Sequence, residues 1–92
     1  MAKTGYAVLT GTPNHMEIAK VADTWGQARQ WARDHLHEMR ETAQKFERDT
    51  TPRIDEALMK VKEASTPSAG QPIDVGFAYM GVQFRMQLKR VT

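Results

Sequence analysis

The sequence predicts an α+β fold: an antiparallel sheet of about four strands, in the order ββααββ, with one long and one short helix on one face. Three observations support this prediction. Short segments with alternating apolar residues lie towards both ends of the chain, a long segment of helix-forming residues lies between them, and Pro52 divides the helical region. The chain has 92 residues, of which 40% are apolar and 26% are charged, so we expect a single domain spanning residues 1–92.

The first two strands are predicted from "GYAVLTG" (residues 5–11) and "MEIAKVAD" (residues 16–23), which are rich in Val, Ile and Tyr. Between them, "GTPNH" supplies the Gly, Pro and Asn that are typical of a turn. We therefore expect a hairpin with Asn14 and His15 at its tip. Side chains displayed at such tips are candidates for contact with a partner.

A long helix is predicted over residues 24–49. It begins with a capping box, "TWGQ", in which the Thr24 hydroxyl accepts a hydrogen bond from the Gln27 amide and the Gln27 side chain accepts one from the Thr24 amide. Pro52 ends or sharply bends this helix, and Thr51 followed by Pro52 is expected to cap a second one. The second helix is predicted for about residues 52–64 with the apolar stripe Ile54, Leu58 and Val61.

The second hairpin is predicted after the linker "STPSAGQP" (residues 65–72). Its alternating apolar residues are Ile73, Val75, Phe77 and Tyr79, then Val82, Phe84, Met86 and Leu88. Aromatic side chains on a sheet can stack on single-stranded bases, but exposing this face would leave the helices nothing to cover, so we favour a core. The residues predicted to be buried include Leu36, Met39, Phe46, Leu58, Phe77 and Phe84.

Two different faces are predicted for the long helix. The apolar stripe recurs every three or four residues: Trp25, Ala28, Ala32, Leu36, Met39, Ala43 and Phe46. Beside it runs a line that we call the basic side: Arg29, Arg33, His37, Arg40, Gln44 and Arg48. Arginine binds phosphate and carboxylate groups well, so this side is a candidate for contact with a charged partner. The alternative is a solvated flank whose arginine stems only shield the edge of the core.

Composition excludes several classes of protein. The net charge of +2 and a pI near 9.2 permit a nucleic-acid partner without requiring one. Without cysteine the chain has no disulfide and no thiolate zinc site. The start of the chain lacks the pattern of a signal peptide, and the apolar runs are too short to span a membrane. We therefore expect a cytoplasmic protein that does not contact membranes.

No constellation in the sequence predicts catalysis. His35 and His37 are roughly 200° apart on a helix and cannot bind one metal ion together. Asp34, His37 and Glu41 share a face, but "HEMRE" lacks the second histidine of a zinc-protease helix, so a solvated face is favoured. The serines lie in the linker without an adjacent histidine, and neither glycine-containing loop has the pattern that binds phosphate. We expect no enzyme activity, metal, cofactor or small-molecule substrate.

Two further residues are candidates for partner contact. Trp31 lies on the side of the helix opposite the arginines, where it is either a rim residue of the core or a protein contact. Arg85, together with Lys89 and Arg90, adds positive charge on the last strand.

The stretch "TGTPNHMEIAKVADTWGQARQWARDHLHEMRETAQKFERD", with the chain length and the lack of enzyme motifs, resembles phage or mobile-element anti-CRISPR proteins. It is similar to inhibitors of the type I-F surveillance complex. These proteins share no common signature, so no catalytic residue is carried over. The resemblance implies a stoichiometric inhibitor in the host cytoplasm that docks on Cas proteins and guide RNA and prevents target DNA from pairing. Many anti-CRISPR proteins are acidic DNA mimics, whereas this chain is basic, which favours contact with RNA or acidic surfaces.

Two other functions are compatible with the sequence. A small nucleic-acid-binding regulator of a phage or plasmid would use the basic side directly, and its binding would depend steeply on salt concentration. A phage or plasmid assembly protein would self-associate, through an open sheet edge or through Trp31.

Overall fold

The structure, a computed structural model, describes residues 5–68 and 70–91. Its elements follow the predicted order ββααββ and form an α+β fold. The strands and helices are β1 (Tyr6–Thr12), β2 (His15–Ala22), α1 (Trp25–Phe46), α2 (Thr51–Glu63), β3 (Ile73–Tyr79) and β4 (Val82–Arg90). A short 3₁₀ turn, Arg48–Thr50, connects the two helices.

The four strands form one antiparallel sheet in the order β2-β1-β4-β3. The two hairpins are joined where β1 pairs with β4, so the first and last strands lie in the middle and β2 and β3 are the edges. Directly opposed residues share a face, and Val8, Leu88 and Ile73 are opposed across three strands. This face packs against the helices, where Leu36, Ile54 and the two strand residues Val8 and Leu88 are fully buried.

Phe46 was predicted to be buried, and this prediction is wrong because its side chain is 76% exposed. Phe46 is the last residue of α1, which ends three residues earlier than predicted. At Glu47 the backbone leaves the helical conformation and turns towards α2, so the Phe46 ring extends past the end of the core. Of the other residues predicted to be buried, Leu36, Met39 and Phe77 are buried, and Leu58 and Phe84 are half-buried at the margin of the core.

The helix caps agree with the sequence only in part. The Gln27 amide donates to the Thr24 hydroxyl at 3.2 Å, as predicted, but the Gln27 side chain accepts from the Asp23 amide at 3.3 Å and not from Thr24. The prediction that Thr51 caps α2 is wrong. The preceding 3₁₀ turn already gives Thr50 a helical backbone, so Thr51 is the first helical residue and its hydroxyl donates to the Arg48 carbonyl at 2.8 Å.

Glu47 connects the helix junction to the second hairpin. Its carboxylate accepts a hydrogen bond from the buried Thr50 hydroxyl and another, at 2.9 Å, from the Met80 amide. Met80 and Gly81 form the β3–β4 turn with φ of 50° and 79°, the left-handed conformation that a tight hairpin turn requires. The Glu47 side chain therefore satisfies backbone and side-chain donors from two elements that are distant in sequence.

Candidate functional site

The basic side of α1 lies next to α2. Near the start of α1, the Arg29 guanidinium donates to the Lys62 carbonyl at 3.4 Å. Further along, Arg40 forms an ion pair with Asp55, with 2.6 Å between Nε and Oδ1. Both contacts reach residues of α2, so Arg29 and Arg40 lie along the seam between the two helices.

Three arginines of the basic side have partners within the protein. The hydrogen bond with Asp55 raises the pKa of Arg40 above its ordinary value. Arg29 also lies 6.0 Å from the Trp25 ring, within the range of a cation–π contact, and Arg48 donates to the Gln44 carbonyl at 3.3 Å. The ion pair with Asp55 could not be predicted from the sequence, because residue spacing identifies ion-pair partners only within one helix.

Arg33 and His37 differ from these arginines. Within residues 5–68 and 70–91, neither side chain forms a hydrogen bond or an ion pair with another part of the protein. Arg33 is half-buried and His37 is exposed. They follow each other by one helical turn, so their side chains are neighbours. Among the arginines and the histidine of the basic side, these two have no partner in the described residues, so all their donors are available to a binding partner.

Trp31 lies on the other side of α1, facing the sheet margin. Its ring stacks on that of His35, with centroids 5.1 Å apart and planes 7° apart, and His35 contacts Phe84 at 6.1 Å. Phe84 in turn packs against the buried Phe77 at 5.2 Å. Trp31 is half-buried and packs against the core, in agreement with a rim residue. It also lines an open depression beside Lys20, Ala22 and Asp34, among others.

Arg85 lies on the face of the sheet that carries no described helix, and it is held by a carboxylate. Its Nε and Nη2 atoms donate to the two Asp74 oxygens at 2.9 and 3.1 Å, and the Gln87 amide donates to the same carboxylate at 3.3 Å. The Arg85 hydrogen bond lowers the pKa of Asp74 most, and partial burial opposes it. Arg85 therefore stabilises neighbouring strands, a role that the sequence did not indicate because Asp74 comes from β3.

Asn14 and His15 are exposed at the turn of the first hairpin, as predicted. The His15 Nε2 atom lies 3.1 Å from the Glu17 carboxylate. His15 and Ala22 are opposite Thr12 and Tyr6, which lie six residues apart on β1. A strand rises about 3.3 Å per residue, so His15 is about 20 Å from Ala22, which borders the Trp31 depression. The structure thus separates the hairpin tip from the Trp31 region.

Residues 5–68 and 70–91 contain no group of three or more histidine or acidic side chains that could hold a metal ion. His35 is engaged between Trp31 and Phe84, while His37 points to solvent. Within the same residues, no helix has both the length and the apolar character needed to cross a bilayer.

An apolar strip on β2 was missed by the sequence analysis. Ile18 and Val21 are each 62% exposed, although they are large apolar residues. They lie three residues apart, which in a regular strand places side chains on opposite faces. Here the pairing with β1 passes from Lys20 to Ile18 and skips Ala19, so a bulge turns both side chains to the open face.

Comparisons with family models, curated proteins and solved structures found no match to this chain.

Proposed function

We propose that the protein is a stoichiometric inhibitor of the type I-F CRISPR surveillance complex, which binds its Cas proteins and guide RNA and blocks hybridisation of target DNA. The resemblance of residues 10–49 to such inhibitors supports the identity of the partner. The observation that carries the mode of action is the free pair on the basic side, Arg33 and His37, between arginines that are held in place.

The arrangement suits a charged macromolecular surface. Arg29 and Arg40 are oriented by contacts with α2, so little side-chain entropy remains for them to lose on binding. Arg33 lies between them and offers a planar set of donors that binds phosphate or carboxylate in a bidentate manner. His37 adds a further polar side chain one turn away. A partner that covers this surface would gain hydrogen bonds from Arg33 and His37 without disturbing the helix pair.

The same geometry disfavours a regulator that binds free nucleic acid. Such proteins neutralise many phosphates, and their affinity depends on the number of available cations. Asp55 neutralises Arg40, and the exposed acidic residue Glu41 lies one helical turn from His37. A complex that presents both protein and RNA fits this mixed surface better than bare phosphate.

The test measures target DNA binding by a guide-loaded type I-F complex at increasing concentrations of this protein. The wild type is expected to inhibit at about one molecule per complex. Replacing Arg33 and His37 together by Ala should raise the inhibitory concentration at least tenfold, because each charged hydrogen bond at a buried contact contributes about 1.5 to 3 kcal/mol. Arg40 is left unchanged, since its pair with Asp55 links the two helices.

The matched control is Arg53→Ala, which removes an exposed arginine of α2 for which no partner is found among the described residues. This variant should inhibit like the wild type, and all variants should have similar melting temperatures. If the wild type does not inhibit, the proposed function is wrong. If the Arg33 and His37 variant inhibits as strongly as the control, the basic side is a solvated flank. Free guide RNA and duplex DNA serve as competitors, and tight binding to either alone would favour the regulator instead.

A further inference from the structure

The two edges of the sheet differ in how they are protected. At the β3 edge, the Lys60 ammonium donates to the Asp74 carbonyl at 2.6 Å and so occupies a backbone acceptor. At the β2 edge, no side chain among the described residues forms a hydrogen bond with the strand backbone. β2 spans eight residues, from His15 to Ala22, and the backbone groups on its outer side are open to pairing with another strand. Its bulge and its charged residues Glu17 and Lys20 hinder pairing with most strands, so a partner strand must match both features.

The bulge at Ala19 determines which side chains of β2 share a face. Glu17 is opposite Thr10 and Lys20 is opposite Val8, and these two β1 residues lie two apart on one face. Glu17 and Lys20 therefore point to the helix side of the sheet, although they lie three apart in sequence. Both are exposed, because β2 extends along the margin of the helix layer.

We propose that the protein forms a two-fold symmetric dimer in which β2 pairs antiparallel with β2 of a second copy, with Glu17 opposite Lys20 of that copy. Two-fold symmetry makes this contact occur twice. Residues that are directly opposed in an antiparallel pair must share a face of the sheet. In a regular strand, residues 17 and 20 would lie on opposite faces, because they are an odd number of residues apart, and could not be opposed across two copies. The bulge removes that conflict, and the same register places Met16 opposite Val21 on the open face.

The charges and apolar residues of the edge complement themselves in this register. Lys20 has no ion pair among the described residues, and Glu17 contacts only the exposed His15 ring. Each would gain an oppositely charged neighbour across the strands, whereas a shift of the register by one residue in either direction places both opposite apolar residues. The apolar strip of Ile18 and Val21 becomes continuous with that of the second copy. A second copy therefore complements this edge in both its charged residues and its exposed apolar residues.

The experiment is sedimentation velocity of the full chain from about 10 μM to about 1 mM, the range in which strand-edge contacts of modest affinity are populated. The wild type is expected to shift from monomer to dimer. Glu17→Lys and Lys20→Glu each create two like-charge contacts per dimer and should weaken association at least about tenfold. The double variant Glu17→Lys, Lys20→Glu exchanges the charges and should restore association to within about threefold of the wild type.

Matched controls exchange the same charges on the exposed side of α1: Glu41→Lys, Lys45→Glu and both together. None of these should change the association constant. A wild type that stays monomeric throughout overturns the proposal. It is also overturned if the single β2 variants weaken association no more than the controls, or if the double exchange fails to restore it. A thermal melt of each variant separates lost association from lost folding, and the double variant decides where a single variant melts early.

Discussion

Replacement of Gly11 by Ala is expected to destabilise the protein, whereas the same replacement at Gly26 is expected to stabilise it. Gly11 has a φ of 153° in β1, outside the range that residues with a side chain readily adopt. A Cβ at this position would lie 2.1 Å from the His15 carbonyl oxygen, a backbone atom of the paired strand. A Cβ on Gly26 meets no described atom within 4 Å beyond its own helix and chain neighbours.

The magnitudes follow from these surroundings. Backbone strain at Gly11→Ala costs about 1 to 3 kcal/mol, and the required shift of β2 weakens a ladder hydrogen bond by about 1 kcal/mol. The lower entropy of the unfolded chain offsets about 0.4 to 1 kcal/mol of this loss. The net loss is about 2 kcal/mol, with a melting temperature lower by about 8 to 16 °C. Gly26→Ala, in the first turn of α1, should add about 0.5 to 1 kcal/mol because alanine favours the helical conformation.

The assay is urea denaturation followed by circular dichroism, with a thermal melt of the same samples. Because both variants carry one added methyl group, any difference in sign between them arises from backbone conformation and space. The reasoning is refuted if Gly11→Ala unfolds within about 0.5 kcal/mol of the wild type, the usual range for surface changes. It is also refuted if Gly26→Ala is less stable than the wild type.

Three further predictions concern the core, the open face and the second turn. Leu36→Ala should lower the free energy of unfolding by about 2 to 5 kcal/mol because the Leu36 side chain is fully buried. Phe46→Ser should change the free energy of unfolding by less than about 0.5 kcal/mol because the Phe46 ring is largely exposed. Equal losses for the two variants in denaturant melts would contradict this prediction. Asp74→Asn should lower the melting temperature at neutral pH, and the difference from the wild type should shrink as the pH falls below about 4, where an ordinary aspartate becomes protonated. The Arg85 hydrogen bond lowers the folded-state pKa of Asp74, so the Asp74 carboxylate stabilises the protein at higher pH and this stabilisation is lost on acidification. A difference in melting temperature that stays constant from pH 7 to pH 2 would disprove this prediction. Met80→Asn should raise the free energy of unfolding by about 0.5 kcal/mol, because asparagine tolerates the left-handed turn conformation better than methionine. The variant keeps the backbone amide that donates to Glu47. A lower melting temperature would count against this explanation.

Local patterns in the sequence were sufficient to predict the strands, the two helices and their order. Alternation over residues 73–88 with a Met-Gly turn predicts a hairpin from neighbouring residues alone, and the Thr24 hydroxyl caps α1 through a contact three residues away. The apolar stripe of α1 likewise predicted which side is buried along most of its length. These features depend on interactions within a few residues, which spacing records directly.

Other features depended on contacts between elements, and only the tertiary structure determined them. The sequence predicts both Arg40 and Arg85 as candidates for partner contact. In the structure, Arg40 pairs with Asp55 and Arg85 pairs with Asp74, which come from other elements. Phe46 continues the stripe of α1 but lies past the end of the core, because the helix stops where the chain turns. The β2 bulge brings Glu17 and Lys20 to one face only through pairing with β1. Spacing along one element shows which side chains share a face, whereas their partners depend on where distant segments pack.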